Sequence, residues 1–499
     1  MSSSKPYRLA LVIAAASALL RLLMAAVTPI LPDETYYWEW SRRLAGGYFD
    51  HPPMIAFFIR AGTTIFGVSA FGIRVVPVLA GFGAALAAIQ LARRIGGDDA
   101  ALRASVVLAC IPLAGAGLVL ATPDSALLLF TALALLAIER AVRIGTSPRA
   151  ALGAWALAGI WCGAAMSSKY TGILLPASLV VALAVIPTLR RHFATPGPYV
   201  AVALASVVMI PVLLWNAQHD WASFRFQLAH GLTPVRGSGI GREGELIAGQ
   251  LGIVTPILFV MLAIAVGRGL ARTNDATTRL LAIVATLTFL FFAYGAWKHT
   301  AEANWPAPSY IPGVALLAAY AGTLRWERWF AWGWKLAGVL LAFVYVWSVF
   351  PIVPIAARKD PMARGAGFRE LGARVTQARD SLQTGRGTIY VAAQKYQDAS
   401  ELAYWMAGHP EVLSFNNGYR HNQYDYWPSL GALAMPSSSL ILVGPADADS
   451  LITTNPGLAA LVPFYKTVTL IDVFSLRRGA SVRERKRIWF LDSLKSPTP

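Results

Sequence analysis

Carboxylates are scarce in this sequence. Its 499 residues hold 26 Asp and Glu against 43 Lys and Arg, and charged residues together make up only 14%. Soluble domains carry about 25%, so a water-facing globule is excluded as the main architecture, and a mean hydropathy of +0.52 points to a membrane protein. Cysteine is scarcer still. Cys110 and Cys162 both fall inside apolar runs, which excludes a disulfide framework and a cysteine metal site. No Walker A loop, dinucleotide fingerprint, HExxH or nucleophile elbow occurs where it could work. The sequence therefore points away from a nucleoside triphosphate or a bound nucleotide cofactor. Internal repeats of solenoid type and low-complexity linkers are also lacking.

What is abundant is apolar length. Runs near 9–28, 72–92, 102–120, 125–141, 151–167, 172–189, 198–215, 246–266, 279–296, 307–323 and 336–354 each approach the roughly 20 residues that cross a bilayer as a helix. About eleven spans are expected, the first a retained membrane helix rather than a cleaved leader. The net charge of +17 would suit nucleic acid, but its distribution does not. Arg93 and Arg94, Arg140 and Arg143, Arg190 and Arg191, Arg268 and Arg272, and Arg325 and Arg328 recur at alternate ends of the runs, as the positive-inside rule requires of cytoplasmic loops. An odd number of spans from a cytoplasmic N-terminus leaves the C-terminal segment outside the cytoplasm.

From about residue 358 the composition changes. "TIYVAAQ" and "SSLILVGP" read as strands, "DASELAYWMAG" as a helix, and "VPFYKTVTLIDVFSLRRG" as the final strands, followed by a basic tail, "RERKR". The expected organisation is a polytopic helical membrane domain over 1–357 and a small α/β domain over 358–499.

The outward loops carry the polar chemistry. "DETYYWEWSRRLAGGYFDHPP" puts Asp33 and Glu34 directly after the first span, framed by Pro32, Tyr36, Tyr37, Trp38 and Trp40. Loop acids are usually just solvated, but an aromatic frame raises the cost of an unpaired charge. A carboxylate held so can act as a general base or ligate a metal. "MIAFFIRAGTTIFG" is amphipathic and suits the membrane surface plane. Asp124 in "ATPDSALL" has a ready ordinary role, since it or Ser125 could cap the next helix. Lys169 in "SSKYTG" could simply snorkel. Lys298 and His299, followed by Glu302 and Asn304, form a denser polar set than an anchor needs; such cations stabilise a departing phosphate. His51 beside Asp50 offers a ligand or phosphate-binding pair on a backbone fixed by Pro52 and Pro53.

Taken in order, "DETYYWEWSRRLAGGYFDHPPMIAFFIR", "ATPDSALL", "SSKYTGILL", "WNAQHDWASFRFQLAHG" and "EANWPAPSY" resemble the bacterial GT-C glycosyltransferases of the protein O-mannosyltransferase-like group, which includes the aminoarabinose transferases acting on lipid A. The resemblance spans about residues 5–355. It implies a GT-C-like multi-span enzyme of the inner membrane with a periplasmic active site, taking a sugar from a polyprenyl phosphate carrier and inverting its anomeric carbon. It implies Asp33, with Glu34 beside it, as the base or acceptor-orienting carboxylate, and Asp124 as the second outer-loop acid. The family's Glu-Lys-Pro-Pro stretch, which binds metal and carrier phosphate, falls on Asp50-His51-Pro52-Pro53. The Lys-to-His change shifts phosphate binding toward Lys169, Lys298 or Arg225.

The expected substrate-binding set is His51, Lys169, Tyr170, His219, Arg225, Lys298, His299, Glu302 and Asn304. A divalent metal between Glu34, Asp50 and His51 is the expected cofactor. The expected partners are the lipid-linked donor, an envelope acceptor (lipid A, another glycan, a lipid or a protein) and membrane lipids, with no nucleic acid. These acidic and cationic side chains are expected to converge on one lipid-open pocket outside the cytoplasm. The competing class is a transporter or flippase of a lipid-linked sugar. Such proteins place ionisable groups at mid-membrane in repeated, broken helices, whereas here the acids sit at span ends.

Overall fold

The computed structural model describes residues 4–143, 147–232, 238–271, 275–323, 326–353, 355–383, 386–415, 420–433, 435–446 and 456–495. The chain forms two compact units: Met1–Val27 with Leu44–Tyr345, and Thr28–Arg43 with Val346–Pro499.

The first unit is helical. Among the described residues, seven helices of the chain are long and apolar enough to cross a membrane, or up to nine if two bent pairs each count as one span. Three local features separate this from the eleven runs expected. The runs at 72–92 and 102–120 belong to two helices over Ala70–Cys110 that meet at a kink and together make one of the seven; the kink is at Gly97, whose φ of 79° suits a residue without a side chain. Beyond Cys110 the chain folds into the single turn Pro112–Gly115 instead of continuing. Ala307–Thr323 has 17 residues, about 26 Å at 1.5 Å per residue, short of the roughly 30 Å hydrocarbon layer. The bent pairs are Tyr170–Val185 with Pro187–Ala194 (110°) and Gly239–Ile253 with Pro256–Ala271 (105°). The amphipathic stretch after the Pro-Pro pair forms the helix Met54–Phe66, which buries Ile55, Ala56, Ile59 and Gly62.

Small residues set the helix spacing. Gly159 and Gly163, one turn apart on Pro148–Met166, face Gly197–Gln218 so closely that a methyl group on Gly159 would lie 2.3 Å from the Ala201 carbonyl oxygen. Close backbone approach of this kind is how membrane helices gain van der Waals contact without a hydrophobic driving force. The core continues in alanines, including Ala84, Ala88, Ala92, Ala101, Ala104, Ala315 and Ala318. At one end of this unit Glu139, nearly buried, takes Arg94 and Arg143 at 2.5 Å each, joining two of the expected basic loops. Arg21 is also buried; it donates to the Ser17 and Ala114 carbonyls.

The second unit is α/β. Its strands are β1 (Ile389–Ala393), β2 (Leu413–Ser414), β3 (Ser439–Pro445), β4 (Tyr465–Arg478) and β5 (Ser481–Leu494), in the order β2-β1-β3-β5-β4. β1 is parallel to β2 and β3; β5 is antiparallel to β3 and β4. The strand and helix readings of "TIYVAAQ", "SSLILVGP" and "DASELAYWMAG" correspond to β1, β3 and the helix Tyr396–Trp405. "RERKR" is not a tail. It lies within β5, where Lys486 is fully buried and holds Asp398 at 2.6 Å and Glu484 at 2.9 Å. Its basic composition hid a central strand because the buried lysine finds two carboxylates from within the same unit.

Candidate functional site

In the first unit the sequence places Asp124 in the opening turn of Pro123–Val142. A cap there would have explained it, yet it does not cap. Ser125 turns its hydroxyl to the Thr122 carbonyl at 2.9 Å, and Thr122 makes no side-chain cap bond. The Asp124 carboxylate instead takes one bond on each oxygen, from Lys169 Nζ at 2.8 Å and from Asn304 Nδ2 at 2.8 Å. Three separate stretches of chain thus meet at one carboxylate. The Asp124 and Lys169 side chains are 12% and 13% exposed. An ammonium has three donors, so one serves Asp124 and two are left to point elsewhere.

The loop that delivers Asn304 is fixed from behind. Gln250 donates to the Ala303 carbonyl at 3.0 Å and accepts from Tyr310 at 2.7 Å, while Arg242 holds the Ala296 carbonyl at 3.1 Å. On the same loop His299 is buried, and its Nε2 has no hydrogen-bond partner among the described residues. Lys298 lies over the Tyr294 ring at 4.9 Å. Glu302 is exposed, and its backbone carbonyl accepts from Trp305.

The other expected residues of this unit form separate local contacts. Tyr170 accepts from Asn216 at 3.3 Å and packs on Phe224. His219 stacks on Trp215 at 4.1 Å and bonds its carbonyl through Nδ1 at 2.7 Å. Arg225 is spent on Asp220 at 2.5 Å. Asp50 is buried and His51 half-buried in a loop held by Ser223, which donates to the Tyr48 carbonyl at 2.6 Å, and by Gln227, which donates to the Asp50 carbonyl at 2.7 Å.

In the second unit the helix Pro32–Arg42 separates the two adjacent carboxylates. Pro32 opens the helix, where its missing N–H costs nothing. Glu34 is buried and folds back to accept the Leu31 N–H at 3.0 Å, as the third residue of a capping box does. Asp33 points away and meets Arg364 at 3.1 Å, with 39% of its side chain exposed. Within one dipeptide, then, Glu34 serves the helix end and Asp33 stays accessible. Arg364 was beyond sequence reasoning, being 331 residues from its partner.

Around them the unit buries several charges. Burial pushes the Glu39 carboxyl up despite Arg42 at 2.6 Å and Arg43 at 3.0 Å. Burial, followed by the charges of Glu34 and Asp398, drives Glu401 well above the usual carboxylate range, although Trp405 Nε1–H donates to it. The sequence "NNGYRHNQYDYW" at 416–427 is polar and aromatic enough to be read as a surface that touches the sugar or acceptor, or as a loop packed within the protein; its residues 416–419 lie outside the described residues. Further along, Gln423 donates its backbone N–H to the Tyr36 hydroxyl at 2.7 Å, and Tyr424 is buried.

Among the described residues, no three His, Cys, Asp or Glu side chains come together so as to hold a metal ion. The expected set of Glu34, Asp50 and His51 finds no support there.

The dolichyl-phosphate-mannose-protein mannosyltransferase family matches residues 50–215. The lipid A galacturonosyltransferase RgtD of Rhizobium johnstonii is 29% identical over 379 residues, 76% of this chain and 78% of the relative. The undecaprenyl phosphate-alpha-4-amino-4-deoxy-L-arabinose arabinosyl transferase 1 of Pseudomonas fluorescens is 30% identical over 216 residues, 40% of this chain and 37% of the relative. Among solved structures, ArnT from Cupriavidus metallidurans bound to undecaprenyl phosphate superposes with a TM-score of 0.66 at 15% identity, covering 97% of this chain and 98% of that one. At that identity the likeness is one of fold.

Proposed function

We propose that this GT-C-like membrane protein, similar to the lipid A and aminoarabinose transferases, moves a sugar from a polyprenyl phosphate carrier to a lipid A-type acceptor. The reaction inverts the anomeric carbon and takes place at the periplasmic face of a bacterial inner membrane. The observation that carries this reading is the junction of Asp124, Lys169 and Asn304. These residues come from three of the five stretches that resemble the family, and they meet at one carboxylate.

In this reading Lys169 binds the carrier phosphate with its two remaining N–H groups. Asp124 and Asn304 fix where the ammonium points. The acceptor hydroxyl loses its proton as its oxygen attacks the anomeric carbon and the C–O bond to the phosphate breaks; the resemblance to the family, rather than any contact with the junction, assigns that proton to Asp33. The phosphate departs as an anion and needs no general acid, because a cation already faces it. Holding donor and acceptor in line supplies much of the acceleration, on the order of 7–11 kcal/mol for well-oriented reactants.

The test is transfer itself. Purified protein given a labelled polyprenyl-phosphate sugar and lipid A should yield labelled lipid A. Movement of the intact lipid-linked sugar across vesicles without covalent transfer would instead support a flippase. Mass spectra of envelope glycolipids from a deletion strain and its parent would name the sugar by the mass lost.

A further inference from the structure

The second unit carries cations that its own acids do not neutralise. Asp33 is taken by Arg364, Asp360 by Arg478, Asp472 by Arg374, and Asp398 and Glu484 by Lys486. Among the described residues, Arg358, Lys359, Arg477 and Arg485 make no ion pair within this unit, and Arg483 acts on Glu401 and Glu484 only from beyond ion-pair distance. Arg358 donates to the Arg483 carbonyl at 3.3 Å, Arg483 donates to the Arg364 carbonyl, and Arg477 stands opposite Val482 where β4 and β5 join. Period-two alternation in β5 turns Lys486 inward and so presents Arg483 and Arg485 on the opposite face.

The place of this patch along the chain matters as much as its charge. The candidate span Glu327–Val349 ends just before it. The turn between β4 and β5 is fastened to that end: Arg478 donates to the carbonyls of Trp347 and Ser348, and Gly479 packs on Pro351. Large apolar side chains stand exposed beside the cations, Phe350 at 59%, Ile352 at 52% and Val482 at 36%. Exposed phenylalanine and isoleucine next to unneutralised arginine, at the point where a chain leaves the bilayer, is the composition of a surface that sinks its apolar groups among headgroups while its cations meet their phosphates.

We infer that the β4–β5 turn and residues 350–353 and 355–359 form a docking surface for the anionic phospholipid headgroups of the membrane the protein spans. The contact anchors the end of the last span and the sheet to one lipid layer. It does not depend on sugar transfer, and its test needs no activity.

The full chain is placed in nanodiscs of phosphatidylcholine alone or of phosphatidylcholine with phosphatidylglycerol, and amide exchange is followed across residues 477–487. Exchange should slow about tenfold or more in the anionic discs. It should return to the neutral-disc rate in about 1 M salt, where the Debye length falls to about 3 Å. The triple variant Lys359→Gln, Arg477→Gln, Arg485→Gln should lose the protection with an unchanged thermal transition. Native mass spectra of the wild-type protein should show retained phosphatidylglycerol in preference to phosphatidylcholine, which keeps the test decisive if the variant folds poorly. Equal exchange in both discs overturns the proposal. So does protection in neutral discs by inorganic phosphate, or protection that arises only when a phosphorylated glycolipid acceptor is added.

Discussion

Lys169 and Asp124 meet at 2.8 Å across 45 residues of sequence, both largely shielded from water. Removing one member of a shielded pair leaves the other charge uncompensated, at a cost of about 3–5 kcal/mol. Lys169→Met and Asp124→Asn should each lower transfer by on the order of 10²–10³-fold. The double variant should be little worse than either single one, because both act on one interaction. Initial rates with a labelled carrier sugar measure this; strictly multiplicative losses would separate the two roles.

Asp33 gives a cleaner variant. Its pair with Arg364 is 39% and 46% exposed, so it contributes at most about 1 kcal/mol to stability. Asp33→Asn should therefore leave the thermal transition nearly unchanged while kcat falls about 10²–10⁴-fold, the usual contribution of a general base. Wild-type turnover in that variant would exclude Asp33 from the reaction.

Glu401 makes the second unit sensitive to pH. Burial raises its folded-state pKa well above the unfolded value, so the folded protein holds a proton that the unfolded chain releases. That stabilisation is complete below the ordinary glutamate range, about pH 4.3. It is lost as pH rises from there through the raised folded value. Glu401→Gln keeps the acceptor for Trp405 Nε1–H and removes the titration. The variant should melt higher than wild type at neutral pH, with a flatter pH profile, in thermal unfolding of the detergent-solubilised protein.

Gly159 tests the membrane helix pair. Valine there would drive a side chain into the Ala201 backbone, which can relieve the overlap only by separating the two helices. Gly159→Val should destabilise by about 1–3 kcal/mol or more, read as a lower midpoint and greater protease sensitivity in the loops flanking Pro148–Met166.

How much of this was legible in the sequence follows from the range of the forces involved. Hydropathy is local, so the apolar runs of the membrane part and the short, nearly continuous apolar runs behind β1 and β3 could be read directly. Gly97 could not be read as the kink between two helices, because a glycine permits a positive φ without requiring it. Nor could Thr28–Arg43, which lies among loop residues by sequence, be assigned to the same compact unit as Val346–Pro499. The resemblance named Asp124, and the polar loops offered Lys169 and Asn304, as separate candidates; their pairwise contacts are long-range facts that no local pattern encodes. Asp33 and Glu34 looked alike as a dipeptide. Only the capping geometry at Leu31 separates them.

The sheet carries one further consequence. β4 is its outermost long strand, 14 residues whose far side has no neighbour within the sheet, and its pairing with β5 shifts register twice, at Leu470/Asp472 and at Leu476/Arg477. A straight unprotected strand of that length would serve as a template for another molecule's backbone. The two irregularities twist the free rim so that its amides no longer form an even ladder. Molecules crowded side by side in a bilayer therefore lack the flat rim along which they could zip together.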